Sequence, residues 1–437
     1  MKPASTTIKR LLGVIALDQT YIEFSLPIVT LLFFDPASRL FAADTPLAVR
    51  SMWYGTCIST PYFINLFFAP LISALSDEFG RRKFLLFEIT SAFFYMLFAG
   101  LGVLLGQLWL LILGFVVRGA FSRTNTTALA MIGDVCSKNS KMKYMGYMQV
   151  AISFGACIGP IISGFFANRY AFDTLNFSLP FFIAACLALT NAVLTYFLID
   201  ETLQQKTSDV MKKPDSSRIT ANLLSIKQVI THPDILKTSL MLLLFQIGWS
   251  LYYQFIPPLL KTVYHFDGRL LGIFIGMIAL WLIIGAGPIF KLLYPAYSNH
   301  KILNISIGLE FIGILLTLAS YFHFLPDYFL WAGAMPMAVG DVLAYICLTT
   351  LYSNVVADHM QGKVMGINFL IVGLIWGGTG FFGGMLISYS PILPLIIAPC
   401  SIIAAFIVIN TSFGRKMILS YSSSLHLSAT QSNPEML

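Results

Sequence analysis

Five charged residues, Asp18, Glu23, Arg118, Glu310 and Asp341, stand inside long apolar runs of this chain. A charge at that depth is expensive unless it is paired or meets water, so each is read first as functional. A lone carboxylate in hydrocarbon is costly when ionised and can therefore carry a proton at physiological pH. Glu23, which falls at mid-membrane between Asp18 and Pro27, fits that description. Arg118 lies about ten residues into the fourth apolar run. Glu310 and Asp341 could pair with Arg118 or with a bound cation. The chemistry implied is proton transfer coupled to binding. Glu88, one turn past a basic loop, reads as part of a charged rim, and Arg123 as a helix-end charge reaching toward the cytoplasm.

The elements that must hold these groups are membrane spans. Hydrophobic residues make up 57% of the 437 residues, charged residues only 11%, and the mean hydropathy is +0.78; a soluble chain carries about 25% charge. Apolar runs near the length that crosses a bilayer start close to residues 10, 52, 84, 108, 142 and 177, and again close to 236, 271, 302, 328, 364 and 391. That predicts twelve spans. Of 27 Lys and Arg residues, only Arg39, Arg50, Arg169, Lys261 and Arg269 fall in loops of one face, and Arg118 and Arg123 fall within a span. The rest gather at the opposite face, which the positive-inside rule makes cytoplasmic, with both termini there. The net charge of +7 then reflects topology, and nucleic acid is not an expected partner. A first span carrying Asp18 and Glu23, without a small-residue cleavage site after it, is not expected to be a cleaved signal. The six cysteines form no Cys-x-x-Cys pair, so neither a disulfide nor a metal site is expected. A long polar interruption divides the spans into residues 1–200, a cytoplasmic linker at 201–235, residues 236–412, and a Ser-rich tail at 413–437.

The stretch Ala69-Pro-Leu-Ile-Ser-Ala-Leu-Ser-Asp77-Glu78-Phe-Gly80-Arg81-Arg82-Lys83 is a short charged hairpin between two spans. Gly80 can adopt a backbone that other residues resist. This loop resembles the signature between helices two and three of the major facilitator superfamily, with Ser73 and Glu78 as departures. The resemblance implies an all-α membrane protein of twelve helices in two six-helix bundles. It also implies a cytoplasmic gate in which Asp77 meets the positive end of the eleventh helix and Arg81 bridges to Asp134, with Gly80 and Arg82 completing it.

A second pattern, Gly146, Gly155, Gly159-Pro160 and Gly164, places small residues where helices can approach closely and a proline where a helix can bend. It resembles the fifth-helix motif of proton-coupled drug exporters, with Ser163 replacing one glycine. Residues 134–166, and the spacing from Asp18 to Pro27, resemble the tetracycline/proton antiporter group. By the same resemblance Arg118 matches the arginine of the fourth-helix motif, which implies a part in proton transfer.

For a ligand, the sequence offers Gln246, Trp249 and Tyr253 on one face of the seventh span, with Asn368 and Trp376 in the eleventh. No phosphate-binding loop, His-Glu-x-x-His site or nucleophile elbow is present, and no cofactor is expected. The expectation is a monomeric secondary transporter in a bacterial inner membrane, exchanging a small organic molecule for protons by alternating access. The alternatives are proton-symport uptake of a siderophore or nutrient, and a membrane sensor that binds without transporting.

Overall fold

The computed structural model describes residues 4–42, 44–136, 138–167, 176–203, 232–355, 361–412, 414–416 and 418, and the side chains of 69–79 are not among those described. The Asp77 side chain, most of the linker and most of the tail therefore lie outside the described residues.

The described chain is almost entirely helical. The first half contains α1 (Ala4–Ile22), α2 (Ser25–Phe34), α3 (Leu47–Phe79), α4 (Arg81–Leu104), α5 (Leu108–Phe121), α6 (Thr124–Val135), α7 (Lys138–Phe166) and α8 (Leu179–Leu198). The second contains α9 (Pro233–Thr262), α10 (Gly268–Ile284, continuing through a π turn at Gly285–Ile289), α11 (Asn299–Tyr321), α12 (Phe329–Asn354), α13 (Gln361–Tyr389) and α14 (Leu393–Asn410). Among the described residues, ten helical segments are long and apolar enough to cross a membrane. Of the twelve expected spans, the second falls on α3 and the fourth is divided at Ser122–Arg123, leaving α5 with 14 residues and α6 with 12. Neither is long enough to cross alone. Large apolar side chains such as Phe67, Phe197, Leu292 and Phe406 remain exposed, as a surface facing lipid requires.

The first span is divided too. The helix stops at Ile22 and resumes at Ser25, with Glu23 and Phe24 between. Pro27 has no N–H to give the Glu23 carbonyl and its ring crowds that oxygen, which accounts for a break four residues before it. An acid of the first apolar segment is thus carried on interrupted helix.

Two compact units are present. One comprises the described residues of Met1–Gln205, Tyr253–Leu280 and Trp376–Pro394; the other comprises those of Lys206–Tyr252, Trp281–Ile375 and Leu395–Leu437. The first unit has a continuous apolar core from α1, α4, α6, α7 and α8, built on Leu11, Ile15, Leu85, Ile89, Met131 and Ile132. In the second, α11 and α12 approach closely where Gly313 and Gly333 face each other, each within van der Waals overlap of the other's carbonyl for any added Cβ.

Only one residue separates α3 from α4. Gly80 has φ +106° and ψ 142°, a conformation open essentially to glycine. Its packing adds a second demand, because a Cβ there would lie 2.6 Å from Glu201 Oε2. The Glu201 carboxylate accepts from the backbone N–H groups of Arg81 (3.0 Å) and Arg82 (3.2 Å), the first free donors of α4. Gly80→Ala should therefore cost about 1–3 kcal/mol and displace this cap. Thermal unfolding in detergent should show a melting temperature several degrees lower; an unchanged melt would mean that the turn tolerates a side chain.

Candidate functional site

In the first unit, polar side chains gather on the interrupted first span. Asp18 is fully buried and accepts from the Tyr21 hydroxyl and the Thr124 hydroxyl. Asn191 of α8 donates to Val14 O (3.0 Å) and to Tyr21 Oη (3.4 Å), which fixes the tyrosine that serves the acid. Asn125 donates to Gln19 at 3.0 Å. Thr124 reaches Asp18 because α6 starts there, directly after the break in the fourth span.

Glu23 lies where α1 and α2 are interrupted, within electrostatic reach of Arg118. Among the described residues no ion pair joins them directly. Arg118 Nη1 donates to Ser25 Oγ at 3.3 Å, and its guanidinium stands 5.7 Å from the Tyr95 ring centroid. Tyr62 and Tyr253 lie in the same field. Trp376 packs against both, with ring centroids 5.6 Å from Tyr62 and 5.8 Å from Tyr253. Beside it Gln254 donates to Thr379 Oγ1 at 3.0 Å, and its carbonyl accepts from Tyr54 Oη at 2.8 Å. A carboxyl, a guanidinium and a set of aromatic faces can hold a proton and an organic molecule together.

Glu88 is corrected by its surroundings. It is fully buried, accepts from Thr127 Oγ1 at 3.0 Å, and feels both Asp18 and Arg123. It is a core acid rather than part of an exposed rim, because its face of α4 turns toward α6. Arg123 stands in the break between α5 and α6, facing that acid.

The glycine pattern does two jobs and one member does neither. A Cβ at Gly155 would fall 2.6 Å from Ala16 O, and one at Gly159 would overlap Thr20 O, so α7 lies directly on α1 beside Asp18 and Glu23. Gly164 meets the backbone of Gly268 and Gly272, and Gly272 meets the Pro160 carbonyl, so the far end of α7 lies equally close to α10. Gly146 is exposed, with nothing within 4 Å of an added Cβ. Its place in the spacing is not a helix contact among the described residues.

At the turn before α4, Arg81 Nε lies 3.4 Å from Asp134 Oδ2, which also accepts from Thr202 Oγ1 at 3.4 Å. Arg82 donates to Tyr196 O at 2.5 Å. In the sequence, Asp200-Glu201-Thr202-Leu203 closes the sixth span and resembles the family's Pro-Glu-Thr ending without its proline; the capping contact of Glu201 comes from the structure.

At the other end of the first span, Lys261 Nζ lies 2.5 Å from Asp35 Oδ2, with the side chains 12% and 18% exposed. Removing one partner of a largely buried pair should cost about 1–2 kcal/mol, between exposed and fully buried cases. We expect Lys261→Ala to lower the melting temperature in detergent and the exchange Asp35→Lys with Lys261→Asp to restore it. A melt unaffected by the single change would show the pair to be solvated and dispensable.

The second unit holds a separate polar group. Gln246 Nε2 donates to Asp341 Oδ1 at 3.0 Å, and Asp341 and Glu310 act on each other electrostatically. Asn368 Nδ2 approaches Tyr345 Oη at 3.5 Å, and Tyr345 acts on Asp341. Trp249 stacks on Tyr252, with centroids 6.4 Å apart. Gln246 and Asn368 thus join the acids of their own unit, whereas Tyr253 and Trp376 join Glu23 and Arg118. Among the described residues, no group of three or more His, Cys, Asp or Glu side chains could hold a metal ion.

The family model described as Major Facilitator Superfamily matches residues 40–381. The chain is 29% identical to the class B tetracycline resistance protein of Escherichia coli over 199 residues, 45% of each chain, so that match spans less than half of that protein. It is 22% identical to the class H tetracycline resistance protein of Pasteurella multocida over 351 residues, 80% of this chain and 81% of that one. Among solved structures, the inward-open xylose transporter XylE from E. coli superposes with a TM-score of 0.70 at 15% identity, covering 93% of this chain and 96% of that one.

Proposed function

Because the chain belongs to the Major Facilitator Superfamily, and so is a multi-pass membrane transporter, we propose that it exports a small organic molecule in exchange for protons across a bacterial inner membrane, with both termini cytoplasmic. The observation that carries this reading is Glu23 on the interrupted first span, within electrostatic reach of Arg118, Tyr62 and Tyr253, the two tyrosines on which Trp376 packs. Interrupted helices bearing ionisable groups are where secondary transporters place coupling ions. With Glu23 ionised, its charge offsets Arg118; with Glu23 protonated, Arg118 is left to attract an electron-rich substrate or the nearby phenols. Asp18, tied to Tyr21 and Thr124, is a second proton station beside it.

Such a charge change biases rocking of residues 1–200 against residues 236–412. The loop group of Asp77, Gly80, Arg81, Arg82 and Asp134 favours the state closed to the cytoplasm, and it must loosen for the cycle to proceed. The names of the tetracycline resistance relatives support an organic substrate.

The test is transport in proteoliposomes of known orientation, under an imposed pH gradient, with antibiotics, dyes and siderophores as probes and internal pH recorded. Substrate movement against proton flow supports antiport. Movement with protons would establish symport uptake instead, and saturable binding without movement would make the protein a sensor.

A further inference from the structure

The acids of the second unit sit in an environment that asks for more than a proton. Glu310 of α11 is fully buried, and neither of its carboxyl oxygens has a hydrogen-bond partner. Asp341 of α12 is 7% exposed and takes its donor from Gln246. The two helices are pressed together at this level, since a Cβ at Gly340 would fall 2.8 Å from Glu310 Cγ. Asn368 of α13 is 1% exposed and turns its amide nitrogen to Tyr345, and its Oδ1 is left unpaired. Tyr345 acts on Asp341 in turn, which links the asparagine to the acids.

No described cation of this unit compensates these groups. Lys237 is paired with Asp234 at 2.8 Å, Lys301 lies over the Tyr297 ring, and Lys291, Arg415 and Lys416 are exposed. Two interacting carboxyls and three unpaired acceptor atoms therefore share one buried neighbourhood. A single proton would neutralise one acid and supply one donor. A quaternary cation would supply charge and no donor at all. A planar amidinium or guanidinium supplies both, with several N–H groups in a fork that matches a carboxylate.

We propose that Glu310, Asp341 and Asn368 form a recognition site for an N–H-rich organic cation, an amidinium or guanidinium group carried by the transported molecule. The proposal rests on the transporter reading for its purpose, but the binding it describes requires no gradient and no direction of transport. Glu310 is its principal acceptor, Asp341 adds the second charge with Gln246 holding it in place, and Asn368 takes a remaining N–H.

The test is equilibrium binding to the purified full-length protein in nanodiscs at fixed pH. The probes are benzamidine, the neutral isostere benzamide, and tetraphenylphosphonium. Saturable benzamidine binding is expected, weakened at least tenfold by Glu310→Gln and by Asp341→Asn, and retained in Glu310→Asp. Benzamide and tetraphenylphosphonium should bind at least tenfold more weakly. Retained melting behaviour certifies each variant, and Glu310→Asp keeps the charge should the glutamine variant fail to fold. Absence of saturable benzamidine binding, binding indifferent to both acid substitutions, or equal binding of tetraphenylphosphonium would overturn the proposal. Failure of proton antiport would leave these binding results standing, and their failure would leave antiport standing, so the two readings are separately decided.

Discussion

Replacing Glu23 by Gln should remove proton-driven transport while leaving the protein folded. The amide has nearly the same shape as the protonated acid, and the Glu23 side chain anchors no described hydrogen bond, so the interrupted span keeps its geometry. What is lost is the ability to switch charge opposite Arg118. Coupling free energies between two ligands of one protein are roughly 1–3 kcal/mol, so the gradient-driven rate should fall on the order of 10- to 100-fold. Substrate exchange without a gradient should survive, because the aromatic faces of Tyr62, Tyr253 and Trp376 are untouched. The measurement is initial transport rate against imposed pH difference in proteoliposomes, with the melting temperature as a folding control. A variant whose rate keeps its full dependence on the gradient would take Glu23 out of the coupling role and leave Asp18 as the acid to examine.

The sequence made some of this legible for physical reasons. An acid in hydrocarbon is conspicuous at any position, whereas Pro27 is read in the sequence only for its spacing from Asp18, and the break it makes at Glu23 emerges from the structure. Gly80 between two long apolar runs announces a one-residue turn. Partnerships across distant helices were beyond reach. Asp18 and Thr124 are separated by 106 residues, and Gln246 and Asp341 by 95; nothing local in either sequence neighbourhood names the other. Glu88 was misread because proximity to Arg82 and Lys83 along the chain says nothing about which face of α4 it occupies. Thr127 decided that, and α6 exists as a separate helix only because the fourth span breaks at Ser122–Arg123. The seventh-span residues show the same limit, since Gln246 and Tyr253 share a helix yet serve two different polar groups.

Gly164→Leu should have the largest effect outside the charged groups. At this position α7 and α10 meet through backbone atoms alone, with a Cβ at Gly164 overlapping the Gly268 carbonyl and lying 3.1 Å from Gly272 Cα. Backbone cannot rotate aside as a side chain can, so a leucine must separate the helices. Overpacking costs about 1–3 kcal/mol where side chains can yield, and rigid backbone on both sides places this case at the upper end. Separation also moves the preceding turns of α7, where Gly155 and Gly159 lie on α1 next to Asp18 and Glu23. The expected outcome is a lowered melting temperature in detergent together with loss of most transport. Gly146→Leu is the internal comparison: it belongs to the same spacing on the same helix, but space is open around it, and activity and stability should match the parent protein. Equal tolerance at both positions would mean that close approach of α7 is incidental to the cycle. Damage confined to Gly164 would tie transport to the helix contact and not to glycine content along α7.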